Sequence, residues 1–193
     1  EKLTKLKKEV DKHSTNNSII QIDLSIKSNI NKLNDEVNRK YKKIDIIIHN
    51  LGGSLGVKDP FSSSSKWLKV WNINLGYSID INNFFIPKMI LNKWGRIVHV
   101  SSAVTTSFDG YSPYTSAKCA LEGYIKSVSK VVSKNNVIIN GIAPGLIDKE
   151  EGYFNYLKNN NISELNKYYK DKLPIHRMCS QNEVSNTIIF LCS

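Results

Sequence analysis

The sequence lacks the features that would place a chain in a membrane or an oxidising compartment. No apolar run approaches the roughly 20 residues of a membrane-spanning helix, and the chain opens on the charged stretch EKLTKLKKEVDKH rather than a signal peptide. Its three cysteines, Cys119, Cys179 and Cys192, are far apart and lack the C-x-x-C spacing of a metal or redox site. We therefore expect buried thiols, no bound metal and a cytoplasmic protein without membrane contact.

Arginine is also scarce, which bears on the net charge of +10. Arg39, Arg96 and Arg177 are the only arginines, and the lysines are scattered among many asparagines. No basic stripe interleaved with aromatic residues is present, as single-stranded nucleic-acid surfaces require. We predict no nucleic-acid binding; the opposite hypothesis predicts affinity that falls steeply with salt and ignores any cofactor.

What the chain does contain is an alternation of short β-branched apolar runs with longer runs of helical period. The predicted strands are 18–22, 44–50, 96–101 and 137–142, and the predicted helices are 28–42, 64–91, 113–134 and 181–192. This alternation is typical of an α/β domain whose parallel sheet is covered by helices on both faces. We predict one domain over residues 1–193, with an excursion at about 148–172 that would form a substrate lid.

Polar residues follow each predicted strand. Ligands of open α/β sheets bind outside the carboxyl ends of the strands. The residues at those ends are Asp23, Asn50 with Gly52 and Gly53, Ser101 with Ser102, and 140–145. They are expected to line one rim of the sheet.

The stretch YSPYTSAK contains two tyrosines and one lysine. Ser112 and Pro113 predict a helix start, with the serine as N-cap and the proline at the first helical position. Tyr114 and Lys118 then share one helix face, whereas Tyr111 lies outside the helix. A free phenol has a pKa of about 10, but a nearby ammonium and the positive end of a helix dipole favour its phenolate form. The pair is a candidate general acid and base for an alcohol or carbonyl oxygen.

A tyrosine and a lysine four residues apart are common in helices where both are purely structural. The surrounding motifs therefore determine whether this pair is interpreted as catalytic. SS at the end of a strand, YTSAK at the start of a helix and NGIAPG after the next strand resemble the classical short-chain dehydrogenase/reductase superfamily, whose hallmark is Tyr-x-x-x-Lys with an upstream serine. IDIIIHNLGG resembles its Asn-Ala-Gly strand, with Leu51 for alanine; WNINLGYS and LPIHRMCSQNEVSNTIIFLCS resemble two further family segments. The resemblance covers 18–193. It implies a Rossmann-type three-layer, doubly wound parallel sheet and hydride transfer between NAD or NADP and a small-molecule carbonyl or secondary alcohol.

The resemblance also implies a role for each matching position. Tyr114 would pass a proton to the substrate oxygen, and Lys118 would favour that transfer and bond the nicotinamide ribose. Asn74 would hold a water that links Lys118 to solvent. The implied cofactor contacts are Asp23 at the adenine, Asn50 and Gly52 on the adenosine side, and Pro144, Gly145 and Ile147 at the nicotinamide.

Two residues compete for the role of the catalytic serine. Counting thirteen residues back from Tyr114, as in most family members, gives Ser101, whereas alignment of the strand GRIVHVSS gives Ser102. We prefer Ser102 because strand register fixes side-chain direction while loops absorb length changes. Ser101 is then expected to point away from the site and bond the backbone.

The sequence departs from the family pattern at two places. Lys149 stands where the family often has a threonine on the cofactor carboxamide. The family's first strand and Gly-rich pyrophosphate loop are not in the printed chain, and GGSLG lacks their spacing. We therefore expect the chain to be part of a longer protein, without its N-terminal βαβ segment, and the choice between NAD and NADP stays open.

Three further expectations concern function and assembly. The alternative to an enzyme is a non-catalytic binding or scaffold protein of the same fold. The family resemblance implies a homodimer or homotetramer formed through helices 64–91 and 113–134. His49 and His99 lie inside apolar strands, so we predict that both are hydrogen-bonded core residues rather than ligands.

Overall fold

The computed structural model describes residues 2–14, 16–148 and 153–193. The chain divides into two compact units, Glu1–Lys43 and Ile44–Ser193. The first unit contains helices α1 (Lys2–Asp11) and α2 (Lys27–Lys40). The strand predicted over 18–22 is wrong: these residues pair with no strand among those described, and a strand requires a neighbour to share its backbone hydrogen bonds.

The second unit is built on a parallel sheet of three strands, in the order β1 (Ile46–His49), β2 (Gly95–Val100), β3 (Val137–Ile142). Ile46 pairs with Arg96, and Gly95 pairs with Val137. The three strands predicted in this part of the chain are confirmed, with bounds that differ by at most two residues. The central strand is apolar without alternation because helices cover both of its faces.

Helices follow each strand of this sheet. One long predicted helix is in fact three segments, α3 (Ser64–Trp71), a π-helical turn (Asn72–Gly76) and α4 (Tyr77–Leu91). The remaining helical elements are α5 (Val104–Ser107), α6 (Ser112–Val132), a 3-10 turn (Ser133–Asn135), α7 (Tyr153–Asn160), α8 (Ile162–Lys172) and α9 (Gln181–Leu191). The predicted N-cap at Ser112 is wrong by one residue: Tyr111 is the N-cap, and its side chain makes no capping hydrogen bond.

The two faces of the sheet carry different helices. His49 of β1 contacts Asn82 of α4, whereas its neighbour Ile48 lines a cavity with Ile188 of α9. Because successive strand side chains point to opposite faces, α4 and α9 lie on opposite sides of the sheet. The predicted layered, Rossmann-like α/β fold is confirmed.

Two apolar clusters are found among the described residues of the second unit. The larger joins the sheet to α4 and α6 through Leu75, Ile86, Met89, Ile97, Leu121, Ile125, Val132, Val137 and Ile139. A smaller cluster, formed by Leu157, Leu165 and Met178, holds α7 and α8 together. The predicted excursion at 148–172 therefore contains two helices that the sequence patterns did not indicate.

The exposure of the three cysteines differs from the sequence prediction. The three cysteines are free but half-buried, so the prediction of buried thiols is wrong. Within the described ranges, no helix is both long and apolar enough to cross a membrane. In the same ranges, no three His, Cys, Asp or Glu side chains are grouped as a metal site would require.

Candidate functional site

Helix α6 places Lys118 at the centre of the site. Lys118 is 3% exposed, and its ammonium donates a 2.7 Å hydrogen bond to the carbonyl of Val100 at the end of β2 and lies 5.7 Å from the centre of the Tyr114 ring. Burial lowers the pKa of Lys118 to about 8. Tyr114 is half-buried and lies one turn earlier on the helix, so the predicted pair is brought together.

Asn74 reaches the same place from the π-helical turn. Its Nδ2 donates to the carbonyls of Val70 and Gly53, at 2.7 and 2.8 Å, and its Oδ1 accepts from the amide of Gly53 at 3.0 Å. A Cβ on Gly52 would lie 2.6 Å from that Oδ1 and 3.2 Å from Lys118 Nζ. A side chain there would therefore collide with the Asn74 amide and crowd the Lys118 ammonium. Gly52, Asn74 and Lys118 meet at one point, beside the carboxyl end of β1.

The two candidate serines have different surroundings. The hydroxyl of Ser101 is buried and donates to a carboxylate oxygen of Glu122 at 3.0 Å, rather than to the backbone as expected. Ser102 is half-buried, and its hydroxyl oxygen accepts only a long, 3.5 Å bond from the amide of Val104 among the described residues. Ser102 thus retains a hydroxyl able to donate to a ligand.

Three of the predicted cofactor contacts line one cavity. Asn50, Gly145 and Ile147 border a cavity of about 810 Å³ that is closed on its other side by α9. Cys179 fixes this loop, because its amide donates to Leu146 and its carbonyl accepts from Asp148, at 2.9 and 2.8 Å. Pro144 is not among the cavity residues; its carbonyl accepts from Ala103, which joins this loop to the one carrying Ser102.

Two predictions, those for Asp23 and Lys149, are not tested by the geometry of this site. Asp23 belongs to the first unit, where its carboxylate accepts from the amide of Ser25 at 2.8 Å. Hydrogen bonding by Ser25 lowers the pKa of Asp23 below its usual value. The prediction for Lys149 lies outside the described residues. The adenine contact of Asp23 stays a prediction.

A buried polar cluster beneath the site was not predicted from the sequence. His49 and His99 stack at 4.5 Å and both approach the side chain of Asn82 on α4. Tyr77 packs its ring against His49 and donates to the carbonyl of Leu51 at 3.2 Å. The histidines are core residues, as expected, but Nδ1 of His99 has no hydrogen-bond partner among the described residues. The cluster's only sequence signal was a polar residue in each of two apolar strands.

The chain belongs to the short-chain dehydrogenase/reductase superfamily. A family model described as enoyl-(acyl carrier protein) reductase matches residues 1–193. Among curated proteins, the 3-oxoacyl-[acyl-carrier-protein] reductase of Aquifex aeolicus is 31% identical over 175 residues, which cover 90% of this chain and 68% of that protein. The protein of the same name from Buchnera aphidicola subsp. Baizongia pistaciae is 31% identical over 189 residues, 95% of this chain and 74% of the relative.

Solved structures share the fold at lower identity. A 7α-hydroxysteroid dehydrogenase, complexed with NADH and 7-oxo glycochenodeoxycholic acid, superposes with a TM-score of 0.77 at 24% identity. A 3-oxoacyl (acyl-carrier-protein) reductase from Agrobacterium tumefaciens C58 with NADP bound gives 0.80 at 23% identity. The matches cover 90% and 89% of this chain and 66% of each solved chain. The chain thus spans about two thirds of the length of these proteins.

Proposed function

We propose that this protein is an NAD(P)-dependent oxidoreductase that interconverts a carbonyl and a secondary alcohol. The observation that carries the proposal is the buried ammonium of Lys118, one helical turn from Tyr114 and beside Asn74 and Gly52. Burying a cation costs free energy, and ionisable groups whose pKa is shifted by burial cluster at functional sites. The names of the relatives favour a 3-oxoacyl thioester as the first substrate to assay.

Each residue of the site has a separate role in the transfer of one proton to the substrate oxygen. Tyr114 gives its hydroxyl proton to the substrate oxygen, and the Lys118 ammonium favours the phenolate that remains. Ser102 donates a hydrogen bond to the same oxygen and stabilises the negative charge that develops on it. Asn74 orders the adjoining loop through Gly53, and we assign it the water that links Lys118 to solvent.

The cavity at Asn50, Gly145 and Ile147 fits a nicotinamide cofactor. Its lining combines apolar side chains with an amide and a glycine whose missing side chain leaves open space, which suits a flat, polar-edged ring. When bound, the cofactor supplies or accepts the hydride. We assign the Lys118 ammonium to a ribose hydroxyl of the cofactor, as the family resemblance implies, and helices α7 and α8 to the substrate lid.

The two tyrosines at the start of α6 provide the test. Tyr114→Phe should lower kcat by about 10² to 10⁴ with acetoacetyl thioester and NADPH or NADH, because the proton donor is lost. Tyr111→Phe is the matched control: Tyr111 is 43% exposed and stacks with Lys58 at 5.7 Å, and its loss should leave turnover within a few fold. Turnover that survives Tyr114→Phe would refute this mechanism. A folded protein that binds neither cofactor would instead be a scaffold.

We also propose that the chain forms a homo-oligomer through α3 and α6. An apolar cavity of about 660 Å³ lies between these helices, bordered by Trp67, Leu68, Trp71, Pro113 and Ala117, and Leu68 is 57% exposed. A second copy would cover this surface, as the family resemblance implies. Leu68→Glu should lower the mass measured by light scattering, whereas Lys66→Glu on the same helix should not.

A further inference from the structure

A buried set of polar side chains, here called the floor, lies close enough to Lys118 for its charge to act on His99. His49, Asn82 and His99 are buried, at 4%, 0% and 1% exposure. Nε2 of His49 lies 2.9 Å from Asn82 Oδ1, and Nε2 of His99 lies 3.3 Å from Asn82 Nδ2. The same Nδ2 donates to the hydroxyl of Tyr124 at 3.0 Å. The two ends of one amide therefore face the two histidines.

This arrangement constrains the protons of the histidines. Oδ1 of Asn82 only accepts, so the facing Nε2 of His49 must carry a proton; Nδ2 only donates, so Nε2 of His99 must be bare. His49 is then the Nε2–H tautomer and His99 the Nδ1–H tautomer. If the positions of Oδ1 and Nδ2 of Asn82 are exchanged, His49 becomes the Nδ1–H tautomer and His99 the Nε2–H tautomer. The two tautomers therefore remain opposite in either orientation of the amide.

The cluster also faces a cation. The titratable groups around the two rings are Tyr77 from α4, and Lys118 and Tyr124 from α6. Burial lowers the pKa of His49 to about 4 and of His99 to about 2, and the charges of His49 and Lys118 lower the latter further. A second positive charge in this floor would compete with the ammonium of Lys118.

We propose that Asn82 is a positioning residue that holds His49 and His99 in opposite neutral tautomers near Lys118. The link to turnover rests on the proposed function, but the tautomers themselves do not. Protonation of the ring that faces Nδ2 breaks its bond to Asn82 unless the amide turns over and the other ring changes tautomer. The ring that faces Oδ1 keeps its bond when protonated, and burial is what holds it neutral. One amide thus couples the protons of both rings.

The wild-type protein provides the first test. Nitrogen-15 NMR of histidine side chains at pH 7 should show two neutral rings in opposite tautomers, assigned by the loss of one signal set in His49→Gln and of the other in His99→Gln. Two rings in the same tautomer, or a doubly protonated ring, would overturn the proposal. This measurement needs no cofactor or substrate, so it stands if the proposed activity fails.

Asn82→Asp provides the second test, with Asn83→Asp as the matched control on the exposed side of α4. A carboxylate cannot donate to either ring, so at least one histidine of Asn82→Asp should become doubly protonated at pH 5. Its kcat should gain a transition between pH 5 and 7 that the wild type and Asn83→Asp lack. Unchanged histidine signals in folded Asn82→Asp would contradict the proposal. If that variant does not fold, the wild-type tautomers still decide.

Discussion

Ser101 and Ser102 carry the same side chain and have different partners. Because Ser101 is bonded to Glu122 and Ser102 is available to a ligand, Ser102→Ala should lower kcat by about 10² to 10³. Ser101→Ala should leave kcat within a few fold and lower the free energy of unfolding by about 1 kcal/mol, through the lost hydrogen bond. Steady-state kinetics and urea unfolding of both variants separate the two roles. The reverse pattern would assign catalysis to Ser101.

Lys118 combines a cost to stability with a benefit to activity. Its folded pKa of about 8 lies below the ordinary 10.5, so between these values the unfolded chain binds more protons and stability rises with pH. Turnover that needs the ammonium should fall as pH rises through about 8. Lys118→Met should abolish turnover and, at pH 7, raise the free energy of unfolding by about 1–2 kcal/mol, because a buried charge is removed. A destabilised Lys118→Met would show that the ammonium supports the fold.

At the level of single elements, substitution of two glycines by alanine should change the free energy of unfolding in opposite directions. Gly52→Ala forces a Cβ against Asn74 and Lys118, so we expect a loss of about 1–3 kcal/mol and weakened turnover. Gly123 lies inside α6 with no atom within 4 Å of an added Cβ, so Gly123→Ala should gain up to about 1 kcal/mol from helix propensity alone. Thermal unfolding of both variants is the measurement. Equal effects would contradict the close contact at Gly52.

The elements that sequence patterns predicted are those with strong local signals. The strands at 44–50, 96–101 and 137–142 and the helix carrying Tyr114 were predictable because their apolar runs and the proline at the helix start act locally. The π-helical turn at Asn74 was not, because it depends on the amide reaching the backbone of Gly53, 21 residues away. The partner of Ser101 and the cluster around Asn82 likewise depend on contacts between separate elements. The strand predicted at 18–22 fails for the same reason. An apolar run forms a strand only where a neighbouring strand shares its backbone hydrogen bonds.

At the scale of the whole molecule, the two buried histidines should make the second unit sensitive to acid. Both histidines have folded pKa values below the ordinary 6.5. As pH falls below 6.5, the unfolded chain therefore binds protons at these two rings while the folded chain does not. Stability should therefore be full above pH 6.5 and fall through the window from 6.5 towards 4, by up to about 1.4 kcal/mol per pH unit for each histidine.

Tryptophan fluorescence during urea unfolding measures this, because Trp67, Trp71 and Trp94 all lie in the second unit. Between pH 6.5 and 5, before most carboxylates titrate, the slope should shrink in His49→Gln and His99→Gln. Substituting the exposed His13 and His176 in the same way should leave it unchanged. A slope that persists without both buried histidines would place the acid sensitivity elsewhere. A slope that halves with each single substitution would show that the two rings titrate independently on unfolding, although one amide joins them in the fold.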